Sequence, residues 1–387
     1  MLINWVRVLI LVVLSVSNFQ TKANSVIRVG LLSLNNPLSL TVTICEGEYK
    51  LLTGGPSILL HQNDNILINN AGGKILISSI RSNAILVDSI ILKSDDMAGY
   101  FSVRNNIQSA RPREYYGSLI VKSGIESLLA INEVDIEKYL AGVVQSEVGL
   151  KGNIEYYKTQ TLLARTYLYR NIKRHTLDGY NICDKTHCQA YNGRSVLKII
   201  DQAVQATRGK VLVNTDSLLV FTPFHSNCGG QTESSGNVWL TSMPHLKAIS
   251  DPYCMSSTNA RWTEEINLQD WISNLSKNGY RHNNSELVFE QHSRKKYYSS
   301  GSFSYPFTRL REDWDLKSSF FSVTQVDSTV ILKGRGYGHG VGLCQEGARV
   351  MTERGFNMND IIDFYFYGLL IADVEDVKPS LEISSAF

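Results

Sequence analysis

The chain has 387 residues, with 38 basic against 36 acidic side chains, 43% hydrophobic and 10% aromatic residues. That length suits two packed domains, or one domain carrying a large insertion. Near-balanced charge argues against a nucleic-acid binder that works by neutralising phosphates. Ordinary apolar and charged fractions argue against disorder and against a multi-span membrane protein, and nothing in the pattern calls for an organic cofactor.

In chain order, residues 1–23 carry Arg7, the apolar run Val8–Leu14 and a small, polar exit ending in Ala23. This is the layout of a secretory signal, which predicts export to the periplasm or cell envelope. The run is shorter than the roughly 20 residues that span a bilayer. Its poor cleavage residues leave an uncleaved anchor as the alternative, and membrane attachment is expected only in that case. Residues 24–109 read as a β-rich region. Ile27–Val29, Leu40–Ile44 and Ile85–Val87 are β-branched or alternating, with turn signals at Gly54-Gly55 and Gly72-Gly73. Leu119–Val121 and Leu128–Ala130 predict a hairpin turning near Gly124.

Near residue 135 the period becomes helical. Ile136, Tyr139, Leu140, Val143 and Val144 share a face, Asp135 is placed to cap the helix and Gly149 to close it. Asn153 caps a second helix running to about Lys173. Strands are expected near 210–224 and 320–334, with a polar variable stretch between about 255 and 320. A Gly-rich loop follows at 334–342, then a helix stopped by Gly355. The fold class is α+β: a mixed core over 110–372 behind the largely β N-terminal region, with a short tail over 373–387.

Four constellations carry possible chemistry. Glu147 sits at a helix C-terminus among apolar residues, where the dipole and any burial both raise a carboxyl pKa, as a glycosidase acid needs. A surface Glu closing a helix fits the same spacing. Lys158 and Arg165 lie seven residues apart on one helical face and suit either a polar substrate or solvent. His175, Cys183, His187 and Cys188 match a closed, structural Zn²⁺ set, although Cys183 and Cys188 also suit a short disulfide. Cys228 and Cys254 flank a loop and suit a disulfide, whereas Cys45 and Cys344 have no evident partner. Finally, the glycines of 334–342 allow close approach to a ligand, with Arg335, Tyr337 and His339 turned together into a cleft. The spacing lacks the Gly-Lys-Ser/Thr of a phosphate-binding loop.

Together these segments resemble the SpoIID/LytB family. The matching strings are Tyr139–Glu147 (YLAGVVQSE), Lys158–Tyr167 (KTQTLLARTY), Cys183–Tyr191 (CDKTHCQAY), Ala203–Gly209, Phe224–Thr232 (FHSNCGGQT) and the Gly-rich loop with Gln345–Ala348, in the family's order from about 110 to about 372. Val148 stands where many members have Met, an apolar exchange. The resemblance implies a peptidoglycan lytic transglycosylase acting on glycan stripped of its stem peptides, with Glu147 as the catalytic acid and base. It implies Zn²⁺ on His175, Cys183, His187 and Cys188, and it makes Lys158, Arg165, Gln189, Tyr191, His225 and His339 candidate substrate-binding residues. The implied partners are glycan strands and other cell-wall hydrolases. The alternative is a glycan-binding enhancer of a cell-wall amidase that does not itself cut.

Overall fold

Strand Ser39–Glu46 shows how the first half is built. Leu40, Val42 and Ile44 are buried while the residues between them are half-exposed, the two-residue period of a sheet with one wet face. The computed structural model describes residues 26–79, 82–96, 98–106, 111–281 and 287–378, so the expected export segment and the end of the tail lie outside the described residues. Two largely antiparallel sheets dominate the N-terminal part, one with a parallel edge pair at Ile182–Cys183, and the whole is α+β as expected. One sheet has six strands, running in space 113–116, 100–105, 39–46, 65–70, 75–79, 82–87. The other has seven, and it joins both sides of residue 110: Val26–Gly30 pairs with Leu128–Asp135, and Ser118–Ser123 pairs with Ser89–Lys93. The expected hairpin at Gly124 is present, closed by its N–H to Ser127 O.

The helices are α1 (Ile136–Val148), α2 (Ile154–Asn171), α3 (Lys198–Ala206), α4 (Ser235–Val238), α5 (Leu268–Lys277), α6 (Phe307–Asp313), α7 (Gln345–Glu353) and α8 (Met358–Tyr365). Asp135 caps α1 by accepting from Glu137 N and Lys138 N, and Asn153 caps α2 by accepting from Tyr156 N. Gly149 ends α1 at φ 71°, in the left-handed region. Both helices are buried on two sides. Tyr139, Leu140 and Val143 face the core shared with the sheets, while Ala141 and Val144 join a second core with α3, α7 and α8. Burial on both sides fixes the rotation of α1, and hence the direction in which its last turn presents Glu147.

Two expectations need correction. The stretch 255–320 is not simply polar and variable. With strands Phe321–Val326 and Thr329–Arg335 it forms a third unit around Trp262, Trp271, Leu275, Phe307, Leu310 and Phe321. Large aromatic side chains such as Trp271 and Phe307 share that core with scattered aliphatic ones such as Leu310 and Val323. The Gly-rich loop, for its part, approaches the protein's own chain rather than opening space for a ligand. Phe224–His225 pairs in parallel with Leu343–Cys344, and Asn227 bridges to Tyr337. At Gly342 (φ 72°) an added Cβ would lie 2.2 Å from Pro223 O, and at Gly336 (φ 80°) 2.5 Å from Asn227 O. Gly342→Ala is therefore expected to destabilise the protein by about 2–4 kcal/mol, from strained φ and overpacking combined. Denaturant unfolding checks this, and a loss below about 0.5 kcal/mol contradicts the close packing described.

Candidate active site

The last turn of α1 is fastened to the segment 190–196 by three consecutive side chains. Gln145 Oε1 accepts from Val196 N at 2.8 Å, Ser146 Oγ accepts from Asn192 N at 2.9 Å, and Glu147 Oε1 accepts from Ala190 N at 2.7 Å. Glu147 is half-buried. Its pKa is raised because burial withdraws water from the carboxylate, and the Ala190 N–H offsets this only in part. The negative end of the α1 dipole acts in the same direction as burial. The carboxyl therefore keeps its proton to a higher pH than an ordinary Glu, while one oxygen is held in a fixed direction.

The held segment has its own anchors. Asp184 accepts from Ser33 N at 2.8 Å and from the Ser33 hydroxyl, and Tyr191 N donates to Asp184 O at 3.1 Å. Just before the segment in the chain, His175, Cys183, His187 and Cys188 bring four ligand atoms within 4.8 Å of one another. His187 Nδ1 lies 3.7 Å from both sulfurs. His175 Nδ1 is 2.8 Å from Asp178 Oδ2, while its Nε2 is buried without a hydrogen-bond partner. A carboxylate on one ring nitrogen and a bare second nitrogen is the arrangement of a metal-binding His with its orienting partner. The set fits Zn²⁺ in donor chemistry and in spacing. All six cysteines are unbridged, so neither the 183–188 disulfide nor the 228–254 disulfide is formed.

The remaining candidates fall into different places. The Arg165 side chain is fully buried, in an ion pair with Glu137 at 2.6 Å, and it also donates to Thr207 O and Val204 O. It is a core group and does not line a cleft. Lys158, a quarter exposed, pairs with Glu155 at 2.7 Å, so the two cations of that helix do not share a surface. Tyr191 is buried against Tyr115 and Tyr139 and donates to Asn132 Oδ1. Gln189, also buried, bonds Tyr139 OH and Ala164 O. Both brace the segment that holds Glu147. His225 and His339 lie edge to face, 5.5 Å apart, with Trp239 5.4 Å from His339. Burial depresses both imidazoles, His339 to about 4, so they are neutral near pH 7. Both ring nitrogens of His339 are occupied, by Phe224 O and Val341 N. His225 keeps a bare, buried Nε2. Arg335, Tyr337 and His339 do not converge: Arg335 turns away to Gln291 O and His292 O over the Phe320 ring, while Tyr337 is 47% exposed.

Sequence reasoning missed Glu137, Asp178 and the roles of Gln145 and Ser146. Only Asp178, three residues after His175, had a local signal.

Comparison with known proteins agrees with this layout. A family described as Stage II sporulation protein matches residues 125–214, which span α1, α2 and the His/Cys cluster. An uncharacterized protein of Brachyspira hyodysenteriae is 30% identical over 278 residues, covering 70% of this chain and 75% of the relative. Stage II sporulation protein D of Bacillus subtilis is 26% identical over 268 residues, covering 64% and 77%. The amidase enhancer of the same organism is 28% identical over 287 residues, covering 59% of this chain and 39% of that longer protein. The chain belongs to the SpoIID/LytB family, and its function is cell-wall-related, which points to an envelope or extracellular location. Among the described residues no helix is long and apolar enough to cross a membrane.

Arg165→Ala separates a core role from a substrate-binding one. It leaves Glu137 charged and buried, which costs about 3–5 kcal/mol. Urea unfolding should show that loss, whereas unchanged stability with weakened glycan binding contradicts the core assignment.

Proposed function

We propose that the protein is a peptidoglycan lytic transglycosylase that cleaves the MurNAc–GlcNAc bond of denuded glycan strands. The observation that supports it most is Glu147: a half-buried carboxyl with a raised pKa, aimed by one backbone N–H. As acid, Glu147 gives its proton to the glycosidic oxygen as the bond from C1 of MurNAc breaks. As carboxylate, it then takes the proton of the C6 hydroxyl while O6 closes onto C1, leaving a 1,6-anhydro end. The nucleophile belongs to the substrate, so one carboxyl serves both steps, unlike the paired carboxylates of hydrolytic glycosidases. Zn²⁺ on His175, Cys183, His187 and Cys188 supplies a fixed corner for the segment 183–196 and no chemistry at the bond. Gln189 and Tyr191 act as positioning residues in this reading, and Lys158, His225 and His339 are candidate substrate-binding residues through the family resemblance alone. Action on glycan places the chain in the envelope after export.

The relative named amidase enhancer favours a second reading, in which the chain grips glycan and stimulates an amidase. The readings differ in what Glu147→Gln does. For a transglycosylase, mass spectrometry of denuded glycan shows anhydro-ended fragments with wild type, and the variant loses at least about 100-fold in rate. A variant with wild-type turnover contradicts the proposal. Stimulation of an added amidase without any fragments, equal in both proteins, supports the second reading.

The raised pKa also fixes a pH dependence. Activity needs the protonated acid, so it is lost as pH rises through the raised value. The alkaline limb of kcat/KM should lie above the ordinary Glu range, near 4.5 for an unperturbed side chain. A limb at or below that value contradicts the assignment.

Removing zinc should lower turnover and thermal midpoint together, with both restored by added zinc. Chelation that leaves both unchanged contradicts a structural metal.

A further inference from the structure

The second core holds a group of metal-ligating atoms that the proposed reaction does not use. Cys228, Asp251, Cys254 and Cys344 are each fully buried, and one ligand atom from each lies within 4.8 Å of all the others. Cys228 Sγ is 3.4 Å from Cys254 Sγ and 3.2 Å from Asp251 Oδ2. In a tetrahedral zinc site with arms of about 2.3 Å to sulfur, neighbouring ligand atoms stand about 3.8 Å apart. The four groups therefore already have close to the spacing that a single ion requires.

We propose that Cys228, Cys254, Cys344 and Asp251 form a second metal centre, a closed structural site for Zn²⁺. Two features support it. Asp251 is a wholly buried carboxylate that, among the described residues, forms no ion pair with Lys, Arg or His. Its neighbours are Tyr365 OH at 2.8 Å, Cys228 Sγ and Tyr253 N. An unpaired buried carboxylate is costly unless a cation compensates it. Cys344 caps α7, and its sulfur accepts from Cys228 N at 3.3 Å and Gly347 N at 3.4 Å. Two N–H donors aimed at one sulfur suit a thiolate. Gly347 is also required sterically, because an added Cβ would lie 2.5 Å from Asp251 Oδ2. As the ion binds, the three thiols give up their protons to solvent and no electron transfer occurs.

The ligands come from three separate stretches: the end of the 224–228 segment, the 251–254 turn and the start of α7. The ion fastens these three stretches together. This site shares no residue with the His/Cys cluster at 175–188, so the two stand or fall separately.

The test uses the full chain purified aerobically without reductant. Elemental analysis should show that Cys344→Ser lowers zinc by about one ion per chain, whatever the first cluster carries, and that Cys188→Ser does not remove that ion. Alkylation of the unreduced, denatured wild type should find Cys228, Cys254 and Cys344 all free. If Cys344→Ser fails to fold, the cobalt-substituted Cys188→Ser protein decides. Sulfur-to-cobalt charge-transfer absorption should persist in Cys188→Ser at the intensity of three thiolates. A Cys228–Cys254 disulfide peptide, zinc content unchanged by Cys344→Ser, or no such absorption overturns the proposal.

Discussion

At the end of α1, Gln145, Ser146 and Glu147 each accept a backbone N–H from residues 190–196, so the helix terminus and that segment hold each other in place. The rest of the site depends on this seam. A carboxylate with a single neutral donor recovers less than it loses on leaving water, so burial dominates and the pKa rises. The same hydrogen bond fixes the direction of the carboxyl. Acidity and aim thus have one structural cause, and both require the segment to stay put. Asp184 and Tyr191 anchor that segment through hydrogen bonds to Ser33 and to each other.

The molecule uses buried polar groups elsewhere in the same manner, as fasteners between segments distant in sequence. The Arg165–Glu137 pair locks α2 to α1 and, through Thr207 O, to the turn after α3. Asn227 and Glu346 join the 224–228 segment to α7. Such contacts are strong only when every partner is satisfied.

Much of this was legible in the sequence. Alternating strands such as Leu40–Ile44, the caps Asp135 and Asn153, and the stop at Gly149 are local signals, and the structure reproduces them. The family resemblance was carried by strings whose order spans most of the chain, and relatives matched over 70% and 64% of it agree. Other features were hidden because their meaning is set by distant partners. Arg165 reads as a surface cation from its spacing and becomes a core group only because Glu137 lies 28 residues earlier in chain and adjacent in space. The glycines of 334–342 suggested room for a ligand, yet Gly342 and Gly336 face the carbonyls of Pro223 and Asn227, and the others face Trp262, His225 and Arg294. The third core was obscured because its aromatic residues are widely spaced within a polar stretch. Cys344 had no visible partner because Cys228, whose N–H its sulfur accepts, lies 116 residues earlier in the sequence.

The chemistry of the site rests on one physical effect: burial against the 190–196 segment raises the pKa of Glu147 while the Ala190 N–H fixes its direction. Its most direct test is a site-resolved titration of the Glu147 carboxyl by carbon NMR, assigned by difference from Glu147→Gln. The midpoint is expected above 4.5, the ordinary value for Glu. A midpoint at or below that value would contradict the account.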